Sequence, residues 1–178
     1  FSGLFLIVVT IATGYSTIQA GKVTPNAGRS KNVILIIGDG MGPEQVGLLL
    51  SYARQAPDTV IKERITAFDR IMDEGGVMGM SLTYPGGVLV ADSAASGTQL
   101  ATGQFAGSEM IGADKDGSPV ETILEKAIKI GKSTGLVSDT RLTHATPAAF
   151  AAHQSHRDME NDIAVDMLNA GPDVMLSG

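Results

Sequence analysis

The sequence predicts an α/β fold, a mostly parallel central sheet with helices on both faces. Three observations predict it. Apolar runs such as Val33-Ile34-Leu35-Ile36-Ile37 are continuous rather than alternating, which marks strands buried on both faces of a parallel sheet. Strand-like runs then alternate with stretches whose apolar residues recur at helical spacing. Glycine is also high, 22 of 178 residues, and many glycines sit where an apolar run ends, pointing to tight turns from strand into loop.

A chain of 178 residues is long enough for one domain with a core. The net charge of −6 argues against nucleic acid as a specific partner, since that needs a basic face. The absence of cysteine excludes disulfides and thiolate metal sites. Phe1 lies inside an apolar run and Val174-Met175-Leu176-Ser177-Gly178 reads as a strand just delivered to a loop, both expected of a piece of a longer chain.

Residues 1–20 carry an apolar run too short to span a hydrocarbon core of ~30 Å. The run and its small-residue exit fit a secretory signal truncated at its start and cut after Ala20, with a buried core strand as the alternative. The expected location is periplasmic or secreted. Residues 21–31 read as a flexible polar leader and 32–178 as the folded domain.

The strand ending at Ile37 runs into Gly38-Asp39-Gly40-Met41-Gly42-Pro43. Pro43 suits a first helical turn, and Val46, Leu49, Leu50 and Ala53 give the helix an apolar stripe. Asp39 thus projects from the C-terminal end of a central strand, where open α/β sheets bind ligands. A dinucleotide fingerprint fails here, because its third glycine falls on Pro43 and Asp39 would face a pyrophosphate. A carboxylate among glycines suits a hard cation better, and a plain Asp-Gly turn is the alternative. Ala56-Pro57-Asp58 ends the helix. Ile65, Phe68, Ile71 and Met72 mark another, Val77 to Thr83 a strand, and Tyr84-Pro85-Gly86-Gly87 a turn.

Val88-Leu89-Val90 reads as a strand feeding a helix at Asp92-Ser93 that runs to Thr102-Gly103. Ser93 would sit where backbone N–H groups point at an incoming anion, and its hydroxyl is inert until a base or metal takes its proton. A simple N-cap role for Asp92 or Ser93 is the alternative. Further on, Ser118-Pro119-Val120-Glu121 reads as a capping box opening a helix that buries Val120, Ile123, Leu124, Ala127 and Ile128 and ends at Gly131. Thr134 to Ser138 is the next strand. All three histidines follow within Asp139 to Arg157, a crowding beyond ordinary packing, although His153 alone reads as a satisfied core or surface group. Met159 to Asn169 is a helix, and Gly171-Pro172 precedes the last strand.

Val90-Ala91-Asp92-Ser93-Ala94-Ala95-Ser96-Gly97-Thr98 resembles the signature of alkaline phosphatases, in which the serine is phosphorylated. Gly38-Asp39-Gly40-Met41-Gly42 is similar to the end of that family's first core strand, and His144-Ala145-Thr146-Pro147 with the downstream Arg157 to its second motif. The resemblance covers Ser30 to Gly178 and makes 32–178 the N-terminal part of such a catalytic domain. It implies phosphomonoester hydrolysis through a phosphoserine, with two zinc ions and one magnesium ion. Ser93 would be nucleophile and metal ligand, Asp39 would bridge zinc and magnesium, and Thr146 would bind magnesium. Arg157 would grip phosphate, with Asp92 and His144 just outside the metal ligands. A guanidinium fits phosphate bidentately where a lysine cannot, and a surface arginine is the alternative. His156 takes no role from the resemblance. The family implies phosphomonoesters and inorganic phosphate as partners and a homodimer. The ions need more Asp, Glu and His ligands than these positions supply, so the piece alone is expected to be inactive. Other readings are a related metallo-phosphodiesterase or sulfatase, a metal-free serine esterase and an inactive binding homologue. Asp92-Ser93-Ala94 speaks against the first, and the lack of Gly-x-Ser-x-Gly against the second.

Overall fold

The computed structural model describes Leu6–Val9 and residues 31–178. Apart from Leu6–Val9, the segment read as a secretory signal lies outside the described residues, as does nearly all of the leader. The chain divides into two units, one within Leu4–Ser81 and one within Leu82–Gly178.

In the first unit, β1 (Leu6–Val9) pairs antiparallel with β2 (Ile34–Ile37), Leu6 opposite Ile37 and Val9 opposite Ile34. The continuous apolar run of β2 led to the expectation of burial on both faces, yet Ile34 and Ile36 are 61% and 66% exposed. Among the described residues β2 has β1 as its hydrogen-bonded neighbour, and nothing closes over that face. The turn after β2 is closed by Met41 N–H donating to Gly38 O at 3.1 Å, with Gly40 at φ +72° in the left-handed region that a type II turn reserves for glycine. Helix α1 (Pro43–Gln55) opens on Pro43 as predicted, and Gln45 Oε1 reaches back to accept Gly42 N–H at 2.9 Å. Val46 and Ala53 are its buried residues; Leu49 of the expected stripe is 42% exposed. Helix α2 (Ala67–Asp73) is capped reciprocally by Thr66 and Asp69, and Arg54 of α1 reaches Asp69 at 2.9 Å.

The second unit carries α3 (Ser93–Thr102), α4 (Ile123–Lys129), β3 (Gly135–Ser138), α5 (Ala145–Ala148), α6 (Glu160–Ala170) and β4 (Val174–Ser177). β3 and β4 pair in parallel, Gly135 opposite Val174 and Ser138 opposite Ser177, with α5 and α6 in the crossover. The core is built of small residues: Ala94, Ala95 and Ala101 of α3, Ala145, Ala148 and Ala149 around α5, with Ile111 and Ile163 fully buried among the larger ones. Small side chains let helix backbones approach. A Cβ built on Gly97 would lie 3.2 Å from Ala149 Cβ and 3.5 Å from Thr146 Cα, so α3 and α5 meet where a larger residue would hold them apart.

Three predicted elements differ. Val77 to Thr83 and Val88 to Val90 are not strands; a strand needs a hydrogen-bonded neighbour, and among the described residues neither has one. Leu89 is accordingly 94% exposed. The capping box falls four residues later than Ser118. Asp114 Oδ1 accepts the N–H groups of Asp116 and Ser118 at 2.9 Å each, and Val120 N–H donates to Gly112 O at 2.8 Å, so this segment is drawn into an extended loop. Thr122 is the cap: its Oγ1 accepts Glu125 N–H at 3.1 Å, and Glu125 returns the contact to Thr122 N–H at 2.8 Å. The pre-proline position of Ser118 favours the extended choice.

Candidate active site

Asp92 is the N-cap of α3, as its residue type favours. Its carboxylate accepts Ala94 N–H at 2.9 Å and Ala95 N–H at 3.3 Å. Ser93 is therefore the first residue of the helix, half-buried at the positive end of the helix dipole. The carboxylate does more than cap. It also accepts Glu109 N–H at 3.0 Å and Arg157 Nη1–H at 3.0 Å, the latter across 65 residues of sequence. Burial works against the charge on Asp92, but the backbone bonds from Glu109, Ala94 and Ala95 and the one from Arg157 outweigh it and hold the carboxyl below its ordinary range.

Arg157 is about one-fifth exposed in its side chain, and so is Asp92. Its Nη2 lies 3.4 Å from His144 Nε2, a contact that an unprotonated Nε2 accepts. These two contacts take up two of the five guanidinium N–H groups. His144 precedes α5, and Thr146 within α5 packs against α3 at Gly97, one turn along from Ser93. The segment leading into α5 is pinned to α6. Arg141 reaches Glu160 at 2.7 and 3.0 Å, and with Thr143 it holds the Glu160 carboxyl down at about 2.

Asp92, Ser93, His144, Thr146 and Arg157 thus come together in one unit. Asp39 stands in the other, exposed, in the tight turn after β2. His153 is the satisfied group expected of it, half-buried. Nδ1 meets Gly112 O at 2.6 Å and Nε2 meets Glu125 Oε1 at 2.8 Å. Both partners are acceptors, so the geometry suits the doubly protonated ring. Burial pulls its pKa down, but hydrogen bonds to Glu125 and Gly112 O and the nearby carboxylates raise it above the ordinary value.

Sequence reasoning missed Glu109. It is one of two non-glycine residues with positive φ among those described, at +61°, and its backbone contacts both Asp92 and Arg157. Nothing in Ser108-Glu109-Met110 signals a left-handed residue; the flanking Gly107 and Gly112 are the nearest hint of an irregular loop.

Asp39, Ser93 and Thr146 are all oxygen donors, which suits a hard cation in kind. Among the described residues no group of three or more His, Cys, Asp or Glu could hold a metal ion.

A family model described as alkaline phosphatase matches residues 30–174. Alkaline phosphatase 4 of Bacillus subtilis (strain 168) is 42% identical over 136 residues, covering 75% of this chain and 28% of that protein. The crystal structure of a cold-active alkaline phosphatase from Shewanella sp. superposes with a TM-score of 0.67 at 41% identity, over 79% of this chain and 34% of that one. A histidine-to-aspartate form of the enzyme from the Antarctic bacterium TAB5, solved with magnesium bound in its M3 site, superposes with a TM-score of 0.50 at 34% identity, over 52% of this chain and 27% of that one. The chain therefore spans about a third or less of the length of these relatives. The family model spans most of the chain, and the chain belongs to the alkaline phosphatase family.

Proposed function

We propose that the whole protein hydrolyses phosphomonoesters through a phosphoserine formed on Ser93. The observation that carries this reading is the 3.0 Å bond from Arg157 to Asp92, the residue beside Ser93. It tethers a guanidinium next to a hydroxyl at a helix N-terminus, an arrangement made for a tetrahedral oxyanion. In the proposed reaction the Ser93 oxygen attacks phosphorus in line, and the ester P–O bond breaks to release the alcohol. Water then cleaves the phosphoserine and releases inorganic phosphate. Arg157 grips the non-bridging oxygens with the N–H groups that Asp92 and His144 leave to it, stabilising charge as it develops.

Two zinc ions and one magnesium ion would be held in part by Asp39, Ser93 and Thr146. When bound, such ions lower the pKa of a coordinated hydroxyl and stabilise charge on phosphate oxygens. The magnesium in the TAB5 structure supports a metal-dependent reading. The remaining ligands would come from outside these 178 residues, so this segment alone would be inactive. A homodimer is proposed on family grounds. A periplasmic or secreted location with Gly21 as the mature N-terminus rests on the apolar run ahead of Ala20. N-terminal sequencing of protein secreted from the whole gene checks that location; an intact, membrane-retained leader would refute it.

The test of the reaction is acid quench with labelled substrate. The whole protein should yield a labelled phosphoenzyme, the Ser93→Ala variant none. Activity should disappear in chelator and return with zinc and magnesium. Label persisting in Ser93→Ala moves the nucleophile elsewhere, and full activity in chelator removes the metals from the mechanism.

A further inference from the structure

Glu109 holds a backbone conformation that its side chain does not favour, at φ +61°. Its N–H donates to Asp92 Oδ1 at 3.0 Å, and its carbonyl accepts Arg157 N–H at 2.8 Å. One peptide neighbourhood thus fixes both partners of the Asp92–Arg157 pair, from the side of the carboxylate and from the backbone of the arginine. The side chain anchors the loop from outside, with Oε2 2.9 Å from His156 Nε2, while His156 Nδ1 accepts Asp158 N–H at 3.2 Å. Of the two neighbours of Arg157, His156 is tied to Glu109 and Asp158 in turn to His156. We propose that Glu109 is a positioning residue whose left-handed backbone sets the orientation of Arg157 toward phosphate.

This rests on the reading of Arg157 as the phosphate-binding residue. Strained residues persist where the surrounding structure over-determines them, and they cluster where geometry serves function. With Glu109 in an ordinary φ < 0 conformation, its N–H would turn away from Asp92 and its carbonyl from Arg157 N–H, so that both halves of the pair would lose a fixed contact together. The carboxylate of Glu109 touches neither partner of the pair in the hydrogen bonds described, so its conformation rather than its charge is the active property.

The experiment uses the whole protein, with inorganic phosphate as competitive inhibitor and kcat and KM measured on an aryl phosphomonoester. Glycine and asparagine accept the left-handed region, and β-branched residues resist it. Glu109→Gly and Glu109→Asn should bind phosphate within about twofold of the parent, while Glu109→Val should remain folded and bind about tenfold more weakly. If Glu109→Val does not fold, Glu109→Ala replaces it and should fall between the two groups. Arg157→Ala is the control for the underlying reading and should weaken phosphate by at least about tenfold. Unchanged phosphate binding in Arg157→Ala overturns that reading. Impaired Arg157→Ala beside parent-like Glu109→Val or Glu109→Ala overturns the role of Glu109 alone. Equal losses in glycine, asparagine and valine variants would assign the effect to the carboxylate and overturn the backbone account.

Discussion

Helices α1 and α3 each carry a glycine away from their ends, Gly47 and Gly97. A Cβ on Gly47 would meet nothing within 4 Å, whereas one on Gly97 would press into Ala149 and the backbone of Thr146. The contrast extends to the helices themselves. Of α1 only Val46 and Ala53 are buried, while α3 buries six of its ten residues, all of them small. In α1 glycine costs helix stability for no visible return. In α3 its smallness sets the distance between the helix that bears Ser93 and the one that bears Thr146. The same residue type is incidental in one helix and a spacer in the other, and the surrounding space decides which.

The largest effect should come from filling that spacer. Gly97→Leu is expected to destabilise by about 3 kcal/mol, the upper end for overpacking, and to cost activity through displacement of α5. Urea unfolding of the whole protein measures it. A leucine variant as stable as the parent would mean that α3 and α5 are not held at the distance described.

A smaller effect should come from the bonded framework behind α3. The His153 side chain is held by Glu125, with the two 22% and 23% exposed. His153 titrates above its ordinary 6.5, so its contribution is complete below that value and is lost as pH rises through the raised one. Glu125 titrates below its ordinary 4.5 despite burial, chiefly through Thr122 N–H and His153, so its contribution is present above 4.5 and lost as pH falls through the lowered value. Glu125→Gln should therefore cost about 1–2 kcal/mol near pH 5.5. That cost should shrink towards alkaline pH, as read by urea unfolding across a pH series. A cost independent of pH would show that His153 does not change its charge across that range.

Smallest is Gly47→Ala, which should stabilise by about 0.5–1 kcal/mol, since alanine is the better helix former and the site is open. A loss of stability there would mean that α1 has a close neighbour at Gly47, and the comparison would fail.

Local chemistry made much of this legible in sequence. Pro43 opens α1, Asp92 caps α3, and the apolar runs at β2, β3 and β4 form strands. The pairing of Asp92 with Arg157 was not legible, because two residues so far apart leave no joint pattern. The contacts of Glu109 with Asp92 and Arg157 were hidden for a different reason: they run through its backbone, which every residue shares. Strands expected at Val77 to Thr83 and Val88 to Val90 failed because β-structure depends on a neighbour that a one-dimensional pattern does not name. At Ser118 two caps competed, and the Asp114 turn decided in favour of Thr122.

The reach of the Asp92–Arg157 bond also sets the order in which the molecule is assembled. Helix turns close within microseconds, whereas contacts between distant residues wait on the search of the intervening chain. Thr122 meets Phe150 across 28 residues and Asp92 meets Arg157 across 65. Loop-closure entropy alone makes the second about 0.7 kcal/mol harder to form. The contact of α4 with the end of α5 is thereby favoured to close before Arg157 reaches Asp92, beside Ser93, and on this ground alone the longer loop is the later of the two to form.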